Sequence, residues 1–143
     1  MGDRVSISFV DYNDDGTVFD ESVALFDHWG GSEFADTASK FITEGKARAD
    51  EASYVMVEFI RSLDPDHSVY LGKDGRDGDN SDNGHFRIDI DGGSIKKYTP
   101  SEAKKEESIL KKQNSILRAS LAHITQQLAT MKRDAEAELR KCE

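Results

Sequence analysis

The chain holds one cysteine, Cys142, and one tryptophan, Trp29, in 143 residues. A lone cysteine excludes an intramolecular disulfide framework and fits a reducing, cytoplasmic compartment. Long apolar runs are missing too: nothing approaches the roughly 18 apolar residues of a membrane span. The opening MGDRVSISFV has no apolar segment behind a basic head, so no signal peptide is expected. MGDRVS fits the outline of a myristoylation consensus, but the residues just behind it read as a core strand. Positive charge is also short, with 19 Lys+Arg against 28 Asp+Glu and a net charge of −9. That balance argues against binding DNA or RNA polymers through their phosphates. Zinc-type ligand spacing, a nucleophile elbow and a phosphate-binding glycine loop leading into a helix are all absent. The expectation is therefore a protein that is no enzyme, with no metal and no cofactor.

What charge there is falls unevenly. Residues 1–98 carry 10 basic against 21 acidic side chains, or −11, and residues 99–143 carry 9 against 7, or +2. An acidic body is followed by a mildly basic tail. In the body, Val5, Ile7 and Phe9 alternate with polar residues, the period of a half-buried strand. DYNDDG then turns the chain, and SVALFDHW, residues 22–29, reads as a more buried strand ending at two glycines. Ser32 is placed to cap a helix through about Glu44, with Phe34, Ala38, Phe41 and Ile42 on one face. Asp50 is placed to cap a second, 51–63, with Val55, Phe59, Ile60 and Leu63 as its stripe. Strands are expected at 68–72, 85–90 and 94–98, with DGG as a hairpin turn between the last two.

Thr99, Pro100 and Glu102 spell a capping box at the start of the tail. No glycine or proline follows from Ser101 to Glu143. Leu110, Leu117, Ile124 and Met131 recur every seven residues, and Asn114, Leu121, Leu128 and Ala135 fill the complementary position. A helix of these 43 residues spans about 65 Å, and no other stretch of the chain can pair with it along that length. The partner expected is another copy of the protein. The fold class is thus α+β: a small, mostly antiparallel sheet with two helices over 1–98, then a C-terminal coiled-coil oligomerisation helix over 99–143.

Between the predicted strands, YLGKDGRDGDNSDNGHFRID (70–89) packs five aspartates, two asparagines and four glycines. Calcium is one reading, here and at DYNDDGTVFDES, where Asp11, Asn13, Asp15 and Gly16 sit as in an EF-hand loop. That loop's twelfth position is Ser22, not glutamate, and strands flank it, so an acidic turn is the plainer reading. A polar small-molecule site is the other. Trp29 closes a strand before two glycines, placed either to stack on a base or to fill the core. Tyr70 and Phe86 bracket the acidic loop and offer a second ring. Asn80, Asp82 and Asn83 supply the acceptors and amides that ribose hydroxyls need. Lys112 and Arg118 on the tail offer positive charge, or are simply a solvated helix flank.

The segments MGDRVSISF, LFDHWGG, VMVEFIRSL and DNSDNGHF resemble, in patches across residues 1–90, small phage proteins of the first anti-Thoeris family. The resemblance implies an oligomeric α/β body acting in the cytoplasm of an infected bacterial host. Such a body sequesters glycocyclic ADP-ribose, a cyclic ADP-ribose-type immune signal, without cleaving it. Some members also hold cyclic di- or trinucleotides at a separate site. It further implies Trp29 and Tyr70 as rings stacking on adenine, Asn80 and Asp82 at the ribose, and Arg118 at the diphosphate. A second phosphate-binding arginine is not fixed, Arg48 and Arg61 being both open. The aspartates near such a pocket would repel a diphosphate unless paired. The rival expectation is a structural or adaptor protein whose function is the coiled coil itself.

Overall fold

The computed structural model describes residues 2–142. Among them the elements run β1 (Val5–Tyr12), β2 (Val18–Glu21), β3 (Ala24–Asp27), α1 (Glu33–Thr43), α2 (Ala52–Ser62), β4 (Val69–Gly72), β5 (His85–Asp89), β6 (Ile95–Tyr98) and α3 (Pro100–Lys141). The chain divides into two compact units after Thr99. The first is an α+β body. Its sheet runs β4-β3-β1-β5-β6, with β2 also paired to β1. Every pairing is antiparallel except β1 with β5, which is parallel.

Strand geometry turns alternate side chains to opposite faces, and the two faces of this sheet are filled differently. Val5, Ile7, Phe9, Leu25 and Ile88 meet Phe34, Ala35, Ala38 and Phe41 of α1 and Ala52, Val55, Met56 and Phe59 of α2 in one apolar core. The helical period had marked these faces, and Ile42, Ile60 and Leu63 pack at the core's rim. Phe59 is its centre, with ring centroids 5.5 Å from Phe9, 5.5 Å from Phe41 and 5.8 Å from Phe34. Burying an aromatic side chain of this size stabilises by about 1.5–3 kcal/mol.

Four local expectations are corrected. β1 is buried on both faces, since Ser6 and Ser8 are as inaccessible as Ile7. The strand expected over 22–29 is shorter, β3 over Ala24–Asp27, and a further strand not expected, β2 over Val18–Glu21, precedes it across a break at Ser22–Val23. Ser22 Oγ accepts the Phe9 N–H at 3.0 Å there, so the break is tied back to β1. Neither expected side-chain cap forms: Ser32 makes no capping bond, and the N-cap of α2 is Glu51, also without one. Instead Asp20 of β2 accepts the Ala52 N–H at 3.3 Å, so a non-local carboxylate serves the α2 N-terminus. Trp29 does not fill the core; it is 62% exposed.

The second unit is α3, 42 residues long, which corresponds to about 63 Å. Ala103 near its start is buried, and the apolar residues Leu110, Leu117, Leu121, Ile124, Leu128 and Met131 further along are exposed.

Candidate functional site

The second face of the sheet carries Ser6, Ser8, Phe26, Tyr70, His85 and Arg87, set there by the registers Ser6↔Phe26, Ser6↔His85 and Phe26↔Tyr70. The acidic segment between β4 and β5 folds back over this face. Glycine permits that approach: a Cβ at Gly75 would lie 2.5 Å from His85 Cγ, and one at Gly78 would lie 2.8 Å from Phe26 Cε1. Tyr70 stacks on Phe26 at 5.0 Å, and its hydroxyl accepts the Asp79 N–H at 3.0 Å. Asn80 Nδ2 donates to Ser6 Oγ and to the Gly75 carbonyl, both at 2.7 Å. The segment is a cover for the sheet.

Beneath it lies a buried polar chain whose directions are fixed by elimination. Ser8 Oγ donates to Glu21 Oε1 at 2.7 Å, since a carboxylate only accepts. Ser8 therefore accepts from His85 Nε2–H at 3.0 Å. His85 Nδ1 is then an acceptor and takes the Ser6 hydroxyl at 2.7 Å. Each link is satisfied only with a neutral imidazole; a proton on Nδ1 would leave the Ser6 hydroxyl hydrogen without its acceptor. Burial, and then the charge of Arg87, push the His85 pKa down to about 4. Arg87 in turn donates to both oxygens of Glu21 at 3.0 and 2.9 Å and lies 4.0 Å over the Tyr98 ring. Ser, His and Glu in hydrogen-bonded series suggest nucleophilic chemistry, but Ser6 and Ser8 are shut off from the surface.

At the sheet end where β1 and β5 begin and β3 stops, Arg4 gathers the loop. Its guanidinium reaches Asp82 at 2.8 Å and Asp79 at 2.5 Å, and its own N–H donates to Asp82 at 2.9 Å. Asp82 is held below the usual carboxylate range chiefly by the Arg4 side chain. Asp79 is held low first by the Ser81 hydroxyl and amide and then by Arg4. Arg4 itself is pushed up by Asp82 and Asp79. Asn83 Nδ2 donates to Asp3 Oδ1 at 2.6 Å and to the Arg4 carbonyl at 3.1 Å. Across the same end, buried Asp27 accepts the Trp29 N–H at 2.9 Å and the His67 ring nitrogen at 2.5 Å. That bond turns the chain out of β3 and leaves the Trp29 indole in solvent, edge-on to His28 at 4.7 Å.

The structure thus brings Asn80, Asp82 and Asn83 into one loop, tied through Asp79 to Tyr70 of β4 on the second face, with Trp29 on the β3–α1 turn at the sheet end where Arg4 holds Asp82. Phe86 is elsewhere. Adjacent to His85 in β5, it points to the helix-covered face, packs on the core and has Lys97 Nζ 5.7 Å from its ring. Arg118 is exposed on α3. Arg48 and Arg61 share an open depression of about 360 Å³ with Lys46, Glu58 and Phe41, at the C-terminal end of α1, whereas Trp29 precedes its start. Asp15, counted among the calcium candidates, accepts from Thr17 N–H and Oγ–H at 3.0 and 2.6 Å. No group of three or more His, Cys, Asp or Glu among the described residues is arranged to hold a metal ion. Sequence reasoning had passed over Arg4, Ser6, Ser8 and Arg87. The Ser-x-Ser alternation in β1 was the available signal for a polar second face.

No protein-family model, curated protein or solved structure matches this chain.

Proposed function

We propose that this protein is a non-enzymatic binding module that captures a base-containing cyclic nucleotide signal at the Trp29 end of the sheet and self-associates through α3. The observation that carries the reading is the exposure of Trp29. An indole that could fill a core instead stands 62% accessible, fixed at its backbone by buried Asp27. A rigid exposed ring offers stacking area at little entropic cost. The pairing of Asp79 and Asp82 with Arg4 supports it as well, because it offsets the negative field that would repel a diphosphate. Asn83 and Asp82 stand at the same end, within the loop that Arg4 organises.

The ligand class implied by the resemblance is glycocyclic ADP-ribose, with cyclic di- and trinucleotides as further candidates, and the setting is the cytoplasm of an infected bacterium. Capture requires no bond to break. A protein that is abundant, with a dissociation constant below the signalling concentration, keeps the effector unliganded by mass action. Among the described residues no helix is long and apolar enough to cross a membrane.

Trp29, as the sole tryptophan, reports on its own site. Titration with glycocyclic ADP-ribose is expected to quench its fluorescence and to give calorimetric heat near one ligand per chain, with the ligand recovered intact after denaturation. Trp29→Ala is expected to abolish the heat while leaving the sedimentation coefficient unchanged. Heat that survives in that variant would move the site elsewhere; no heat with this ligand or with cyclic di- and trinucleotides would remove the sequestration reading. A second reading, an adaptor whose output is the coiled coil, is favoured by the apolar face of α3 and would then stand alone.

A further inference from the structure

Resting on the self-association just proposed, we infer that the occupant of the α3 seam is a second copy of this chain lying parallel and in register. In heptad positions, Asn114, Leu121, Leu128 and Ala135 take a, and Leu110, Leu117, Ile124 and Met131 take d. Of the e positions that flank the seam on one side, Lys111, Arg118 and Lys132 are charged, while the charged g positions are Glu106, Asp134 and Lys141. Parallel helices set g of one against e of the other, which places Glu106 beside the partner subunit's Lys111 and leaves Arg118 and Lys132 opposite glutamines. Antiparallel helices set e against e. Lys132 then faces Lys111 or Arg118 of the partner subunit, a repulsion that occurs twice by symmetry and cancels what Glu106 gains against the partner subunit's Lys141 at g. The antiparallel pair thus has no net attraction where the parallel pair has one.

Asn114 discriminates more sharply. Antiparallel alignment of the apolar layers packs a against d, which buries the Asn114 amide against Met131 with no polar partner. Parallel alignment in register brings the two Asn114 amides together, where one donates to the other, and any slip by a heptad separates them. Glu107 and Glu138 meet like charges in either arrangement, so they bound the seam without orienting it. Leu110, Leu117, Leu121, Ile124, Leu128 and Met131 are all half or more exposed on the single helix, so the whole seam is available to the partner.

Disulfide trapping in the full chain reads orientation directly. A disulfide needs Cα atoms within about 7 Å. Asn114→Cys in a Cys142→Ser background places its thiols face to face when the helices are parallel and in register. In the antiparallel alignment they lie about 25 Å apart along the axis, 17 residues at 1.5 Å each. In a glutathione redox buffer most of the protein is expected to run as a cross-linked dimer on non-reducing gels, and Cys142 in the unaltered chain is expected to do the same. The antiparallel arrangement has its own signature: an equimolar mixture of Asn114→Cys and Met131→Cys, both with Cys142→Ser, would cross-link as the mixed pair. That result overturns the inference, as does an oligomer in which Asn114→Cys stays reduced. A chain that sediments as a monomer at tens of micromolar overturns the self-association beneath it.

Discussion

Asn80 Nδ2 lies 2.7 Å from Ser6 Oγ, a bond that joins residues 74 positions apart and fastens the acidic loop to the first strand. The same amide hydrogen-bonds the loop's own Gly75 carbonyl. An asparagine that looks like a ribose ligand in the sequence is therefore also a clasp. The hydroxyl it meets is the first link of the chain through His85 and Ser8 to Glu21. Loop position and buried protonation state are consequently one system, and several outcomes depend on it.

The His85 chain sets a pH dependence. His85 is neutral in the fold with a pKa of about 4, whereas an unfolded histidine titrates near 6.5. As pH falls through that window the unfolded chain takes up a proton that the native chain refuses. The stability is full above pH 6.5 and drains away towards pH 4. Between about pH 7.5 and pH 5 the loss is about 2 kcal/mol. Urea unfolding at the two pH values checks it, with His85→Gln expected to flatten the slope. Asp74, Asp79 and Asp82, whose pKa values are lowered, add losses that begin as pH falls through the ordinary carboxylate pKa and continue below it.

Gly75→Ala should be costly although the site is in a loop. The added methyl would sit 2.5 Å from the His85 ring, which is itself hydrogen-bonded on both sides. Overpacking of this kind costs about 1–3 kcal/mol. Chemical denaturation measures it, and a cost near zero would mean that the loop lifts off the sheet freely.

Arg4→Ala removes the guanidinium shared by Asp79 and Asp82. Amide hydrogen exchange across 79–84 is expected to quicken while the strands beneath keep their protection. Exposed ion pairs contribute little to global stability, so the unfolding midpoint should scarcely move. A large drop in the midpoint would show that the loop is integral to the global unfolding unit.

Phe59→Ala empties the centre of the aromatic group formed with Phe9, Phe34 and Phe41. The expected loss is about 3–5 kcal/mol, enough to unfold a marginal domain of this size. Circular dichroism melts of the variant test this, and the signal of α3 should survive where its own seam is intact.

How much of this was legible beforehand differs by element. The helix faces could be read because a period of 3.6 repeats within one segment: Phe34, Ala38 and Phe41, or Val55 and Phe59, declare a buried side locally. The heptads of α3 are local in the same sense, and so is the DGG turn, where Gly92 and Gly93 both take positive φ. The sequence by itself determined those helices, the turns and the acidic body with its repeating tail.

The tertiary structure alone decided what fills the second face of the sheet. Most of its contents are polar, and hydropathy reports water-seeking groups as exposed, whereas Ser6, Ser8, His85 and Arg87 are buried and satisfied by one another and by Glu21. It also decided that Arg4 answers the aspartates, that Asp20 serves a helix 32 residues onward, and that Trp29 faces solvent. The Arg4 and Asp20 outcomes are pairings between residues distant in the chain. A hydrogen bond has direction and short range, so only the folded backbone, by bringing its donor and acceptor within 3 Å or so, selects which pairs form.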